Sequence, residues 1–269
     1  VTDPLTASTP LERALALLWG RDTRGSRGPA RGLTLDRIVE AAIEVAEREG
    51  PAAMSLRRVA ARLGVGVASL YTYVPGRAEL EALMLDAVAI GRTLPHEWPG
   101  DWRAKLTALA HDDWREIRRH PWVLELGAAE QVPGPNMLRW LDSALRIFDG
   151  TGLSEPEKLS AIETVDAYVR GLGRLRGPGA DRPASGAGPA AASGTATGAA
   201  TGAAAESASE SEDTRERDQV LGRLVDFDDY PALSRALAAG GTPYSGAPFE
   251  FGLERLLDGI EQLVLRRSA

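Results

Sequence analysis

Residues 54–77 hold the strongest constraint in the chain: two short amphipathic segments, hinged at a glycine and halted by a Pro-Gly pair. Leu56, Val59, Ala60 and Leu63 recur at helical spacing, which gives the first segment one apolar face. Ser55 stands where a hydroxyl can accept a backbone N–H of the first turn. Gly64 follows the last apolar residue, where left-handed backbone is cheap only for glycine. Val65, Val67, Leu70, Tyr71 and Val74 then set a second short helix, stopped by Pro75-Gly76. A helix, a tight glycine-bearing turn and a second helix form a helix-turn-helix over about residues 55–74. Leu70 and one edge of Val67 and Val74 are expected inside. Ala68, Ser69, Thr72 and Tyr73 then point outward, small or hydroxylated, and none is acidic. A helix that enters a groove about 12 Å wide between two phosphate ribbons needs such a surface. The alternative is a plain helical hairpin inside an all-α protein.

The flanks extend the pattern. A helix is expected from Thr34 or Asp36, with Ile38, Ala41, Ala42, Val45 and Ala46 inward and Gly50-Pro51 as its stop. Residues 78–90 predict a further helix with Leu80, Leu83, Met84, Ala87 and Val88 inward, leading away from the reading head. Pro95 and residues 96–100 mark a boundary.

These residues carry a resemblance. Residues 33–87 resemble the DNA-binding domain of the tetracycline-repressor (TetR) family of bacterial transcriptional regulators. It rests on Ile38-Val-Glu-Ala-Ala-Ile-Glu-Val-Ala-Glu-Arg-Glu-Gly50, Ser55-Leu-Arg-Arg-Val-Ala-Ala-Arg-Leu-Gly64, Ser69-Leu-Tyr-Thr-Tyr-Val74 and Arg77-Ala-Glu-Leu-Glu-Ala-Leu83. The resemblance implies that Ala68, Ser69 and Thr72 touch base edges, beside Ser55 and Val67. It implies that Arg57, Tyr71, Tyr73 and Arg77 seat the head on phosphates. The C-terminal part is more loosely similar to the ligand-binding domain of the tetracycline-repressor branch itself.

A net charge of −7 argues at first against nucleic acid. The distribution reverses that: residues 21–77 hold ten arginines against six carboxylates. A local basic patch on an acidic protein is the stronger DNA signal, and it predicts steep salt dependence. Residues 1–32 read as a flexible basic arm, its arginines suited to a minor groove or simply solvated. Leu11, Ala14, Leu15 and Leu18 are spaced to form one or two amphipathic turns there. The chain has no cysteine, so disulfides and thiolate sites are excluded. The apolar run at residues 14–19 is too short to span a bilayer and is no signal peptide, which points to the cytoplasm.

Residues 33–94 are thus expected as a helix-turn-helix domain and 95–269 as a helical ligand-binding and dimerisation domain. Within the latter, residues 177–214 carry no apolar side chain larger than alanine and read as a disordered loop, with helix resuming from Val220 around Tyr230-Pro231. Ser154 and Glu157 have capping-box spacing and open a long helix. A short helix is expected over residues 122–130, and a last one over about 249–266. The resemblance implies that the last two long helices pair with their copies in a second subunit. The contact would use Ile162, Val165, Val169, Leu172, Gly252, Leu256, Gly259, Ile260 and Leu263. Gly252 and Gly259 cost roughly 1 kcal/mol each in a helix unless close approach repays them. The competing reading makes these stripes the core of one subunit.

Five of the six tryptophans fall between residues 98 and 140, enough to line an apolar pocket. A ligand site is expected around Trp102, His111, Trp114, Met137, Trp140, Leu141 and Tyr168; packing alone is the competing reading. In tetracycline repressors a magnesium-bound drug is held through histidine, and His111 is the only candidate, but no metal and no cofactor is expected. No nucleophile elbow, phosphate loop or dinucleotide motif is present, and no catalytic residue is expected. The fold class is all-α. The function expected is a dimeric, ligand-responsive repressor on palindromic operator DNA, with no membrane partner. The alternative is a helical small-molecule binding protein without specific operator binding.

Overall fold

A computed structural model of the chain describes residues 9–20, 33–89, 93–126, 132–176, 220, 223–239 and 249–268. Among the described residues there are helices and turns and no strand. The expected loop at 177–214 and the arginines at 21–31 lie outside the described residues. No helix among the described residues is long and apolar enough to cross a membrane.

The first element departs from the expected flexible arm. Helix α1 (Pro10–Leu18) opens with a complete capping box: Thr9 Oγ1 accepts the Glu12 N–H at 3.2 Å, and the Thr9 N–H donates to Glu12 Oε2 at 2.8 Å. Ala14, Leu17 and Leu18 are buried. Only a distant partner makes this short helix worth forming, since an isolated segment of this length is marginal in water. The partner is α5 (Arg77–Val88).

Helices α2 (Leu35–Glu49), α3 (Leu56–Leu63) and α4 (Val67–Tyr71) complete the head. Thr34 caps α2 and Ser55 caps α3, each accepting the N–H three residues on. Gly64 takes the left-handed conformation (φ 69°), and the Val65 N–H returns to the Ala60 carbonyl at 3.0 Å, closing the helix-turn-helix turn. One core joins Ala14, Leu17 and Leu18 to Ile38, Val45, Met54, Val59, Leu70, Val74, Leu80 and Met84. Because α5 is packed by α1 and α2 on one side and by later helices on another, its buried arc is wide. It includes Glu79, Ala82 and Asp86, while Ala87, expected inside, lies in solvent.

Helix α6 (Trp102–Arg119) is capped by Asp101, whose Oδ1 accepts the Ala104 N–H at 2.9 Å. Helices α7 (Trp122–Leu126), α8 (Pro135–Arg146), α9 (Glu155–Arg176) and the last helix, α11 (Phe249–Ser268), come after it. Ser154 and Glu157 do meet, the Ser154 N–H donating to Glu157 Oε2 at 2.9 Å. A second core gathers Leu106, Leu109, Ala110, Ile117, Phe148, Val165, Val169, Leu253 and Leu257. Packing continues past residue 95, where Trp122, Val123 and Leu126 of α7 join the core of the head.

By contacts the chain divides into two compact units, Val1–Gly173 with Phe249–Ala269, and Arg174–Pro248. In the second, a single 3-10 turn (Phe227–Asp229) precedes α10 (Pro231–Ala238). Pro231 opens that helix and the Ser234 hydroxyl donates to the Phe227 carbonyl at 2.7 Å, so the expected helix over 220–237 is interrupted at Tyr230.

Candidate functional site

The outer face of α4 is presented to solvent on a rigid base. Leu70 and Val74 are fully buried beneath it. Val67, Ala68, Tyr71 and Thr72 are exposed and Ser69 is half-buried. The Thr72 hydroxyl donates to the Ser69 carbonyl at 2.6 Å, which holds its rotamer. Arg57 on α3 is exposed and pairs with no carboxylate among the described residues. Its neighbour Arg58 is held by Glu49 at 2.8 Å, and Arg62 by Glu44. The carboxylates of α2 thus neutralise part of the basic patch counted in the sequence.

One expected outward residue is corrected, and another is found already engaged within the chain. Tyr73 does not point outward: it is half-buried against the head core, and its hydroxyl donates to the Leu33 carbonyl at 3.2 Å. The helix ends at Tyr71, so Tyr73 lies in the turn that folds back under α4. Arg77 is exposed but engaged, its Nε on Glu81 at 2.6 Å and its Nη2 on the Pro51 carbonyl at 3.0 Å. It ties α5 to the α2–α3 junction.

In the C-terminal part, three expected ligand residues converge on Phe249, which was not among the expected ligand residues. Phe249 lies 5.1 Å from His111, 5.2 Å from Trp114 in a stacked arrangement, and 6.0 Å from Tyr168, ring centroid to centroid. The Tyr168 hydroxyl donates to the Phe249 carbonyl at 2.8 Å. Glu250 stands 3.5 Å from His111 Nε2. Trp102 is not part of this group; it stacks on Phe148 at 5.8 Å in the core. Trp140 and Leu141 pack from α8 against the same core, and Met137 lies at the start of that helix. Trp122 belongs to the head core instead. No periodicity marked Phe249 as the hub, because its partners come from α6 and α9. Among the described residues no group of three or more His, Asp or Glu is arranged to hold a metal.

The two parts are joined through Asp86. This buried residue of α5 accepts the Met137 N–H on Oδ1 at 2.9 Å and the Asn136 N–H on Oδ2 at 3.4 Å, while Asn136 Nδ2 donates to the Asp86 carbonyl at 3.2 Å. A carboxylate on the first N–H groups of α8 satisfies both hydrogen bonding and the helix dipole. Gly134 permits it: a Cβ there would fall 2.3 Å from the Asp86 carboxylate.

The expected subunit contact is corrected in its α9 half. Ile162, Val165, Val169 and Leu172 are buried in the chain's own core, as is Ile260. Gly252 does face a close neighbour, but it is Tyr168 of the same chain, whose hydroxyl would lie 2.3 Å from a Cβ. Gly259 has open space beside it, and Leu256 and Leu263 are half-buried. Helical periodicity identifies a buried face without saying whether the covering helix is internal.

Residues 38–82 match the family model described as bacterial regulatory proteins, tetR family. Residues 94–264 match that of the tetracyclin repressor-like C-terminal domain. The chain is 37% identical to the HTH-type transcriptional repressor DrrR1 of Streptomyces coeruleorubidus, over 97% of this chain and 89% of that one. Its fold is similar to that of apo ActR from Streptomyces coelicolor, with a TM-score of 0.64, 23% identity and coverage of 88% of this chain and 99% of that one. ActR in complex with actinorhodin aligns with a TM-score of 0.62, 22% identity and coverage of 87% and 96%. With one match on the helix-turn-helix and another across the C-terminal helices, the chain belongs to the TetR family of bacterial DNA-binding transcriptional regulators.

Proposed function

We propose that this protein is a homodimeric repressor, working in the cytoplasm, that leaves its operator when a small hydrophobic molecule enters the C-terminal domain. It acts by binding and catalyses no reaction. The observation that carries the reading is the outer face of α4, exposed, free of acidic side chains and fixed on a buried Leu70–Val74 base. Ala68, Ser69 and Thr72 read base edges from there, with Ser55, Val67, Arg57 and Tyr71 at the groove walls. Two copies related by a two-fold axis set their heads roughly 34–36 Å apart, matching palindromic half-sites. The contact between copies uses the sides of α9 and α11 that the chain leaves uncovered, including Ala167, Gly171, Leu256, Gly259 and Leu263.

The ligand site is the Phe249 cluster with His111, Trp114 and Tyr168. ActR, a protein of similar fold, forms a complex with actinorhodin, which supports a small molecule in this domain. A ligand that prefers one arrangement of α6 and α8 shifts the head through Asp86, since coupling requires differential affinity for two states.

The test is a salt-resolved anisotropy titration with DNA from upstream of the protein's own gene. Specific binding at least about 10³-fold above non-specific binding is expected, weakened by Arg57→Ala and by Tyr71→Ala. Specific binding that both variants leave untouched refutes the reading, and absence of specific binding favours a helical small-molecule binder.

A further inference from the structure

Helix α1 lies ahead of both stretches that carry the family likeness, yet it is built into the head. Ala14, Leu17 and Leu18 share one core with Leu80 and Met84 of α5. Its polar attachments give its direction. Arg13 meets the Glu79 carboxylate, in the first turn of α5, at 2.8 Å. At the other end of α1, the Trp19 indole N–H donates to the Pro133 carbonyl at 3.3 Å. Pro133 precedes Gly134, where a Cβ would fall against the Asp86 carboxylate near the far end of α5. The two helices therefore run side by side in the same direction, and α1 is tied down at both ends.

The turn that opens α8 is thus held from two helices. Asp86 of α5 accepts the N–H groups of Asn136 and Met137, and Trp19 of α1 donates to the carbonyl of Pro133. Val132, just before it, packs on the same core as Leu17 and Leu18. A single point of attachment is a pivot, about which α8 can swing without moving the head. Two points on different helices of one packed core remove that freedom. Trp19 itself is exposed, so its ring contributes little to the core. One hydrogen bond adds only modestly to stability. What this bond fixes is orientation, while Leu17 and Leu18 keep α1 docked.

We infer that α1 is a strap that sets the angle at which α8 leaves the reading head, with Trp19 as its positioning residue. A shift of the C-terminal helices then reaches the head along two tracks, α5 by way of Asp86 and α1 by way of Trp19. The inference rests on the ligand-responsive repressor proposed above, and it adds to that reading an element outside the helix-turn-helix. Coupling between sites is reciprocal. A head clamped on DNA opens less often, and a turn strapped to it opens less often too.

Hydrogen exchange of the full chain decides it, measured with and without duplex DNA from upstream of the protein's own gene. In the unaltered chain the duplex is expected to slow exchange at residues 136–138 by about fivefold. Trp19→Phe keeps a ring on α1 and removes the N–H. Without DNA, this variant is expected to quicken exchange at 136–138 and leave α3 and α4 as they were. With DNA, it is expected to bind the duplex and lose most of the slowing. Slowing that survives Trp19→Phe, unchanged exchange at 136–138 without DNA, or no slowing in the unaltered chain once the duplex is bound each overturn the inference and leave the repressor reading standing. If the duplex is not bound at all, anisotropy shows it and both fall. Thermal denaturation guards against a purely structural role: Trp19→Phe is expected to keep the midpoint. A lowered midpoint with exchange quickened throughout the head assigns Trp19 to the fold and overturns the inference.

Discussion

Asp86 Oδ1 accepts the backbone N–H of Met137 at 2.9 Å, so the helix that leaves the reading head holds the first turn of α8. Asp86→Ala removes acceptors from N–H groups at a helix start and is expected to cost about 1–2 kcal/mol of stability. Hydrogen exchange at Asn136 and Met137 should accelerate, and release from DNA by ligand should weaken while unliganded DNA affinity is kept. Gly134→Ala should reproduce the effect by steric exclusion of the carboxylate. Unchanged exchange at Met137 in either variant would show that this link does not hold α8.

Arg13 reaches 66 residues along the chain to the buried carboxylate of Glu79 at 2.8 Å. Removing the cation leaves a buried charge uncompensated. Arg13 keeps 28% side-chain exposure, which lets solvent take up part of the loss. Arg13→Ala is therefore expected to cost about 2 kcal/mol, and adding Glu79→Gln should recover a good part of it. Urea denaturation of the four proteins in this cycle measures the coupling.

On the reading head, structure separates two tyrosines that sequence treats alike. Tyr73→Phe should lower stability by about 1 kcal/mol through the lost bond to Leu33 and leave operator affinity unchanged. Arg57→Ala should leave stability unchanged, weaken DNA binding and reduce the salt slope by about 1. Operator titrations at several salt concentrations, alongside thermal melts, check both.

A methyl group at position 252 would push the Tyr168 ring off the Phe249 carbonyl. Gly252→Ala is expected to cost about 1–3 kcal/mol, and much less in a Tyr168→Ala background. Sedimentation should show the same dimer affinity as the unaltered chain. A loss of dimer affinity with stability intact would return Gly252 to a contact between copies.

Burial and the Asp166 carboxylate hold the Asp113 carboxyl well above the ordinary value, with Asp112 and Glu116 adding to them and Arg170 opposing. The folded chain therefore keeps this proton at a pH where the unfolded chain has lost it. Stability from this group falls as pH rises from the ordinary carboxylate range up to the folded pKa, and is constant outside that window. Denaturation midpoints of Asp113→Asn should lack this part of the decline.

The reading head was legible because its signals are local. The cap at Ser55, the left-handed Gly64 and the apolar positions from Leu56 to Leu70 all act within a few residues of one another. Helix α1 was not, because Ala14, Leu17 and Leu18 find their partners on α5, and a short apolar pattern in a polar segment has no energy of its own to reveal. The apolar stripe of α9 is buried, but Val165 and Val169 are covered from within the chain, whereas on α11 Gly259 is exposed and Leu256 and Leu263 are half-buried. For the proposed ligand site, sequence supplied His111, Trp114 and Tyr168. It missed Phe249, whose place depends on the last helix returning beside the α6 and α9 positions that hold those three.

The brace between α1 and α5 bears on any attempt to transplant this head onto another effector domain. A cassette cut at Leu33, where the motif starts, discards Ala14, Leu17, Leu18 and Arg13. It strips the outer flank of Leu80 and Met84 and strands the Glu79 carboxylate. Such a chimera is expected to be destabilised, with apolar surface of α5 newly exposed. The portable module begins at Thr9, and at its far end must carry Trp122 along or supply a ring of equal bulk from the new host.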